Sequence, residues 1–411
     1  MSKLDELIRE YCPDGVEYKT LGEISSIVRG ASPRPIKNYI TSDEKGVNWI
    51  KIGDVKPGEK YITTVKEKIT LEGAKKSRFV NIGDFILSNS MSFGRPYILK
   101  VDGCIHDGWL AISQYKDFYD RNFLYYLLCS SKVQAEFKKK ASFGGAVQNL
   151  NSDIVKSVTL PVPPLAVQRE IVRILDNFTE LTAELTAELT ARKKQYEYYR
   201  EYLFENRISD VECKRLDELF PFIRNGFVGT IKSFFTNEID GIRYLEGTNI
   251  HDGVISDNEV LYVTKEFHEK HIKNQLKADD ILMVQSGHIG ECAVVGKKYE
   301  GANCHALIIM SNGGKCLSKY YVYYFHTLKG FKSLTPAITG GTIKHVLAGK
   351  VGKIKVPVPP LEVQKRIVDI LDRFDALCND ITSGLPAEIE ARRKQYEYYR
   401  DKLLTFKERK G

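Results

Sequence analysis

The segment Pro161-Val162-Pro163-Pro164-Leu165, continuing as AVQREIVRILDNF to Phe178, returns 196 residues later as Pro357-Val358-Pro359-Pro360-Leu361 and EVQKRIVDILDRF to Phe374. A second pair follows. ARKKQYEYYREYL from Ala191 recurs from Ala391 as ARRKQYEYYRDKLL at an offset of 200, so the second copy holds four more residues between its motifs. Fainter echoes tie the preceding stretches: Thr20-Leu21-Gly22-Glu23-Ile24 to Arg215-Leu216-Asp217-Glu218-Leu219, Gly83-Asp84-Phe85-Ile86-Leu87 to Ala278-Asp279-Asp280-Ile281-Leu282, and Phe143-Gly144-Gly145 to Thr339-Gly340-Gly341. A chain written this way folds as a tandem duplication, a divergent region followed by a near-identical helical one, used twice.

The boundaries fall at residues 1–160, 161–207, 208–356 and 357–411. Each divergent region has about 150 residues, enough for its own hydrophobic core without disulfide staples. The eight cysteines are scattered, with neither CxxC nor paired knuckle spacing, and read as thiols. The net charge of +8 is unevenly placed: residues 1–160 and 214–356 each carry +5, residues 161–213 carry −3, and residues 357–411 carry +1. Positive excess in the divergent regions points to a polyanionic partner for those regions. The opening MSKLDELIRE lacks the apolar stretch of a signal peptide, and no run of about 18 apolar residues occurs, so the chain is expected in the cytoplasm, away from membranes.

Each PVPPL marks the end of a strand (SVTLPVPP, KIKVPVPP) and the start of a helix, because proline cannot sit in a helix interior. Apolar residues then recur at 171, 174, 175, 178, 181, 185 and 189 and continue at Tyr196, Tyr199 and Leu203. The second copy gives Ile367, Ile370, Leu371, Phe374, Leu377 and Ile381, then Ile389, Tyr396, Tyr399 and Leu403, with Ser383-Gly384-Leu385-Pro386 expected to break the helix. A narrow stripe on a helix of about 40 residues, roughly 60 Å long, needs a partner helix, and the other copy supplies one. The expected pairing is an antiparallel coiled coil with a globular region at either end. Thr182-Ala183-Glu184-Leu185 and Thr186-Ala187-Glu188-Leu189 repeat a tetrapeptide inside the first helix, each unit worth about 6 Å of length.

The divergent regions read as α/β. Short strands such as VNWIKIGDV, DFILSNS and WLAISQY, or IRYLEGTNI, DILMVQSG and ALIIMSNG, are punctuated by Gly, Pro and Asn. Each region then has an aromatic helical stretch, NFLYYLLCSSKVQAEF or KYYVYYFHTLKGF, whose rings suit a core better than a stacking platform. Catalytic signatures are lacking: there is no GxxxxGK[ST], HExxH, GxSxG or helix-opening GxGxxG, and the PVPP segments lack the flanking residues of an [ND]PP[YF] methyltransferase tetrad. A binding protein is expected, with no catalytic and no metal-ligating residues.

PVPPLxVQxxIVxILDxF followed by ARxKQYEYYRxxL, present twice between divergent regions, resembles the specificity subunit of type I DNA restriction-modification systems, and the resemblance covers the whole chain. It implies two α/β target-recognition domains joined by two long helices as an antiparallel coiled coil in a pseudo-twofold tandem repeat. Each domain reads one half of a bipartite, asymmetric double-stranded DNA site, with a spacer set by the helices. It further implies docking of two modification subunits on the helices, with restriction subunits reached through them. S-adenosylmethionine, ATP and magnesium then belong to those partners, and this chain binds no cofactor. An unpartnered or silent specificity cassette and a coiled-coil scaffold without DNA are the competing readings.

Base reading calls for polar side chains on loops. Candidates after the DFIL and DIL strands are Ser88, Asn89, Ser90, Ser92 and Arg95, and Gln285, Ser286 and His288. The Gly-Gly loops add Gln148 and Asn149, and Lys344 and His345, while the loops after Trp49 and Tyr244 add Lys51 and Asp54, and Glu246 and Asn249. In each QYEYYR motif, spacing puts Tyr196 with Tyr199, and Tyr396 with Tyr399, on the seam face, leaving Tyr198 and Tyr398 for partner subunits.

Overall fold

The computed structural model describes residues 2–56, 58–89, 93–141, 149–206, 211–341, 344–380 and 382–409. It divides into two compact units, Met1–Leu185 with Ile389–Gly411, and Thr186–Glu388. The cuts fall inside the helical regions, so each unit takes one helical stretch from its own repeat and one from the other.

The first unit holds two five-stranded sheets. One runs in the order Ser26–Arg29, Trp109–Ser113, Phe85–Ser88, Pro96–Leu99, Tyr61–Ile62. The other runs Ile40–Thr41, Lys68–Ile69, Val47–Ile50, Gly103–Ile105, Arg78–Val80. The second unit repeats the plan with four strands in each sheet: Phe222–Asn225, Leu307–Ser311, Ile281–Val284, Cys292–Val294, and Phe235–Thr236, Leu261–Thr264, Gly241–Leu245, Asn303–Cys304.

Period-two alternation explains why the central strands are apolar on both faces. Phe85, Leu87, Leu110 and Ile112 pack with the aromatic helix Arg121–Cys129, whereas Ile86, Trp109 and Ala111 pack with Ile50 and Ile105 of the second sheet. The same division separates Ile281, Met283, Ile308 and Met310 from Leu282, Val284, Leu307 and Ile309. The rings of Phe123, Tyr126, Tyr320, Tyr321 and Tyr324 are buried, so these aromatics are core.

The near-identical motifs are clamps. Gln168 is fully buried; its Nε2 donates to Pro163 O (2.7 Å) and Phe118 O (2.8 Å), and its Oε1 accepts from Asp120 N (2.8 Å). Gln364 repeats this, donating to Pro359 O (2.8 Å) and accepting from Leu317 N (2.9 Å). The Gln of each PVPPLxVQ therefore ties the proline turn to the chain entering the aromatic helix. The Asp of each ILDxF accepts a tyrosine hydroxyl from that helix, Tyr126 on Asp176 and Tyr323 on Asp372.

The first long helix runs unbroken over Leu165–Asn206, while its counterpart is split into Leu361–Asn379 and Leu385–Leu403. Asp380 stabilises the break: its carboxylate accepts from Thr382 N (2.7 Å) and from Ser383 Oγ (2.5 Å), and these bonds hold its pKa down at about 2. The four extra residues of the second copy lie at this turn. In the first unit Phe178 stacks on Tyr399 (5.6 Å); in the second, Phe374 stacks on Tyr196 (6.2 Å) and Tyr199 (5.5 Å). The last turn of each QYEYYR helix also docks on its unit. Asp401 accepts from Ser131 N (3.1 Å) and Glu201 accepts from Leu328 N (3.0 Å), each acceptor meeting a helix N-terminus. Among the described residues no helix is long and apolar enough to cross a membrane.

Candidate nucleic-acid interface

In the first unit the strand pairs Leu110↔Arg29 and Trp109↔Ser88 bring one end of the sheet to a common rim, away from the Glu17–Thr20 and Thr159–Val162 pair that leads into the long helix. The loops after Arg29, after Ser88 and before Trp109 therefore converge. Leu150 N donates to Asn89 O (2.9 Å), joining Leu150 to the residue that follows Ser88. Asn89 N donates to Gly108 O (3.1 Å), and its Nδ2 donates to Asp107 O (3.1 Å). Ile52 N donates to His106 Nε2 (3.3 Å), which adds the loop after Trp49.

Burial holds the His106 pKa below the usual value of 6.5. The ring is neutral at pH 7, and the unfolded chain takes up a proton before the folded one does. Its contribution to stability is complete above pH 6.5 and is lost as pH falls through the depressed folded value. The thermal stability of the first unit is expected to fall as the pH drops below 6.5. His106→Gln should flatten that part of the profile; an unchanged slope would assign it to other groups.

The second unit builds the same rim. Val346 N donates to Gln285 O (2.9 Å), the equivalent of the Leu150–Asn89 bond, and Ser286 bridges to His345. His305 N donates to Leu245 O (2.8 Å), matching His106 N to Ile50 O (3.4 Å). The side chains differ. Here the loop after Asn225 carries Phe227, packed on Phe267 (5.0 Å) and His271 (4.9 Å), and the Tyr244 hydroxyl lies 3.3 Å from His305 Nδ1.

The candidates do not all present themselves alike. Asn149, His288, Lys344 and His345 are exposed, and Gln285 and Ser286 are half-buried on the rim. His288 lies 6.1 Å from the His251 ring. Arg95 lies over the Tyr97 ring (5.6 Å), and Lys51 pairs with Glu67. Ser88 and Asn89 are buried, so Asn89 works within the rim. Asp54 and Asn249 occupy equivalent turn positions: Asp54 accepts from Lys51 N (2.8 Å) and Asn249 from Glu246 N (2.9 Å). Asn249 is only 1% exposed, and its Nδ2 donates to Ser256 O and Glu259 O, so its amide serves the loop. Glu246, half-buried, opens that turn. Ser90, Ser92 and Gln148 lie outside the described residues. Tyr198 and Tyr398 are 63% and 62% exposed, while Tyr196 is buried.

Sequence reasoning missed Ser32, Arg34 and Asp107. Ser32 Oγ donates to Asp107 Oδ1 (2.9 Å), Arg29 Nε donates to Asp107 O (3.0 Å), and Arg34 lies 3.6 Å from Asp107 Oδ2. The available signal was Ser32-Pro33-Arg34-Pro35, a cation between prolines just after a strand. Among the described residues, no cluster of His, Cys, Asp and Glu could hold a metal ion.

The two units share one framework and carry two different sets of rim side chains, a duplicated module. The chain belongs to the type I restriction modification DNA specificity domain family, whose model matches it twice, over residues 13–192 and 208–391. It is 36% identical over 263 residues to the EcoR124I/EcoR124II specificity subunit of Escherichia coli, an alignment covering 61% of this chain and 63% of that protein. A putative type I restriction enzyme specificity subunit of Haemophilus influenzae is 29% identical over 412 residues, covering 95% of this chain and 96% of that one. The fold matches a chain from a structure of a type I R-M system (TM-score 0.69, 18% identity, 95% and 98% covered). It also matches the HsdS subunit from Thermoanaerobacter tengcongensis (TM-score 0.52, 17% identity, 96% of each chain covered).

Proposed function

We propose that this chain is the DNA-reading specificity subunit of a type I restriction-modification enzyme, and that each unit reads one half of a bipartite, asymmetric site in double-stranded DNA. The observation that carries this reading is the pair of rims: Leu150–Asn89 and Val346–Gln285 are the same bond in the same framework, surrounded by different side chains. Unlike rims imply unlike half-sites. The excess of positive charge in both divergent regions suits phosphate contacts that set register while the rim meets base edges.

In this reading the chain is not a catalyst. Methyl transfer from S-adenosylmethionine belongs to two modification subunits docked on the helical regions, and ATP- and magnesium-dependent translocation and cleavage belong to restriction subunits beyond them. The site of action is the cytoplasm. Tyr198 and Tyr398 are the proposed docking rings, because each stands exposed beside a tyrosine that the unit itself stacks against. Replacing both by alanine should lower co-purification of a modification subunit about tenfold or more. Affinity of the chain for DNA should stay unchanged.

The test of function is genome-wide adenine methylation by long-read sequencing, with the gene intact and deleted. Loss of one gapped adenine motif is expected, and exchanging residues 1–160 for those of a relative should alter one half of it only. An unchanged methylome would overturn this reading for that cell and leave a silent cassette or a scaffold.

A further inference from the structure

Asp107 sits where the loops of the first rim meet, and its neighbours fix it from both sides. Ser32 Oγ donates to Asp107 Oδ1 (2.9 Å), while the Asp107 main-chain carbonyl accepts from Arg29 Nε (3.0 Å) and Asn89 Nδ2 (3.1 Å). The remaining carboxylate oxygen, Oδ2, lies 3.6 Å from the guanidinium of Arg34, whose side chain is 85% exposed. Among the described residues this guanidinium meets no other acceptor, so most of its N–H donors face outward. Pro33 and Pro35 restrict the backbone on either side of it. A pair this exposed adds little to stability. It leaves the planar fork of donors open to solvent beside the Asp107 carboxylate.

The second unit supplies the control. Gly30 and Gly226 are equivalent: each donates to the neighbouring strand, to Trp109 O (2.9 Å) and Leu307 O (2.8 Å). A Cβ on either would strike main chain, His106 O at 2.0 Å or Cys304 O at 2.6 Å, so both loops leave the sheet by the same close approach. Counting from these glycines, Ser32 corresponds to Val228 and Arg34 to Thr230; counting from His106 and His305, Asp107 corresponds to Ala306. The cation, its carboxylate and the hydroxyl that orients the carboxylate are thus all present in one rim and all missing from the other.

We infer that Arg34, positioned by Asp107, reads a guanine in the half-site bound by the first unit, and that the second unit has no equivalent contact. This rests on the DNA-reading function proposed above. Guanine presents O6 and N7 as two acceptors in the major groove, the pattern that the guanidinium fork matches. A phosphate is the poorer target, because the Asp107 carboxylate beside the guanidinium repels it, whereas the base edge carries no net charge.

The test is methylome sequencing of source cells carrying Arg34→Ala, Arg34→Gln or Asp107→Asn on the chromosome, with thermal unfolding of each purified full-length chain. The wild-type motif should contain a G·C pair in the half that changes when residues 1–160 are exchanged. Arg34→Ala should reduce discrimination at that position about 10- to 100-fold and leave the other half intact. Arg34→Gln should shift the position toward adenine, and Asp107→Asn should relax the same position more weakly. A uniform drop in methylation at an unchanged motif would make Arg34 a phosphate contact and overturn the inference. An unchanged methylome, or a wild-type half-site without G·C, would also overturn it. If the unaltered gene directs no gapped motif at all, the DNA-reading function itself fails, a result distinguishable from these because it appears before any substitution is made.

Discussion

Replacing Gln168 by alanine is expected to destabilise the first unit by about 3 kcal/mol, among the largest effects available to a single change outside the apolar core. Its amide satisfies a donor, Asp120 N–H, and two acceptors, Phe118 O and Pro163 O, at a site closed to water. Each group left unpaired costs about 1–3 kcal/mol, partly offset if water enters the space left by the side chain. The damage extends further, because Asp120 is itself the cap of the Arg121–Cys129 helix, accepting from Asn122 N and Phe123 N. For a unit of this size the midpoint should fall by roughly 6–12 °C. Gln364→Ala should do the same to the second unit, where Leu317 N and Pro359 O lose their partner. Calorimetry of the two variants should show each lowering its own transition; a shift below about 1 °C in both would mean that water replaces the amide without cost.

The clamp also explains which parts of this fold were legible in the sequence. PVPPLxVQ and ILDxF stand out as repeats because each side chain in them has a fixed local task, and such tasks recur wherever the same turn meets the same helix. The start of the helix after Pro164, the break near Gly384 and the buried aromatic helices follow from local chemistry and period alone. Tyr199 and Tyr399 took the seam positions expected of them, stacking on Phe374 and Phe178. The rim was harder. Asp54 and Asn249 looked like loop polar groups free for a ligand, but turns use such residues as caps, and the use is decided by distant main chain. Lys51 was unpredictable for a related reason, since its partner Glu67 reaches it only through strand pairing. Arg34 and Asp107 lie 73 residues apart, and no local pattern links them; the sheet register alone does so.

The second large effect expected is in solution. If the rims meet base edges and the flanking cations neutralise six to ten phosphates, DNA affinity of the full-length chain should fall about 10³- to 10⁵-fold between 50 and 200 mM salt, because condensed counterions released at low salt are no longer released favourably at high salt. The slope of log affinity against log salt would be about −0.9 per phosphate. A scaffold whose partners are proteins has no reason to show this with DNA, so a flat response would remove the DNA-reading function and not merely weaken it. The same titration separates two kinds of cation on the rims. Lys344 is exposed, and no carboxylate is paired with it among the described residues, so Lys344→Ala should reduce the slope by about one unit and weaken all sequences alike. Arg34, whose charge is shared with Asp107, should leave the slope nearly intact and act on one base position instead.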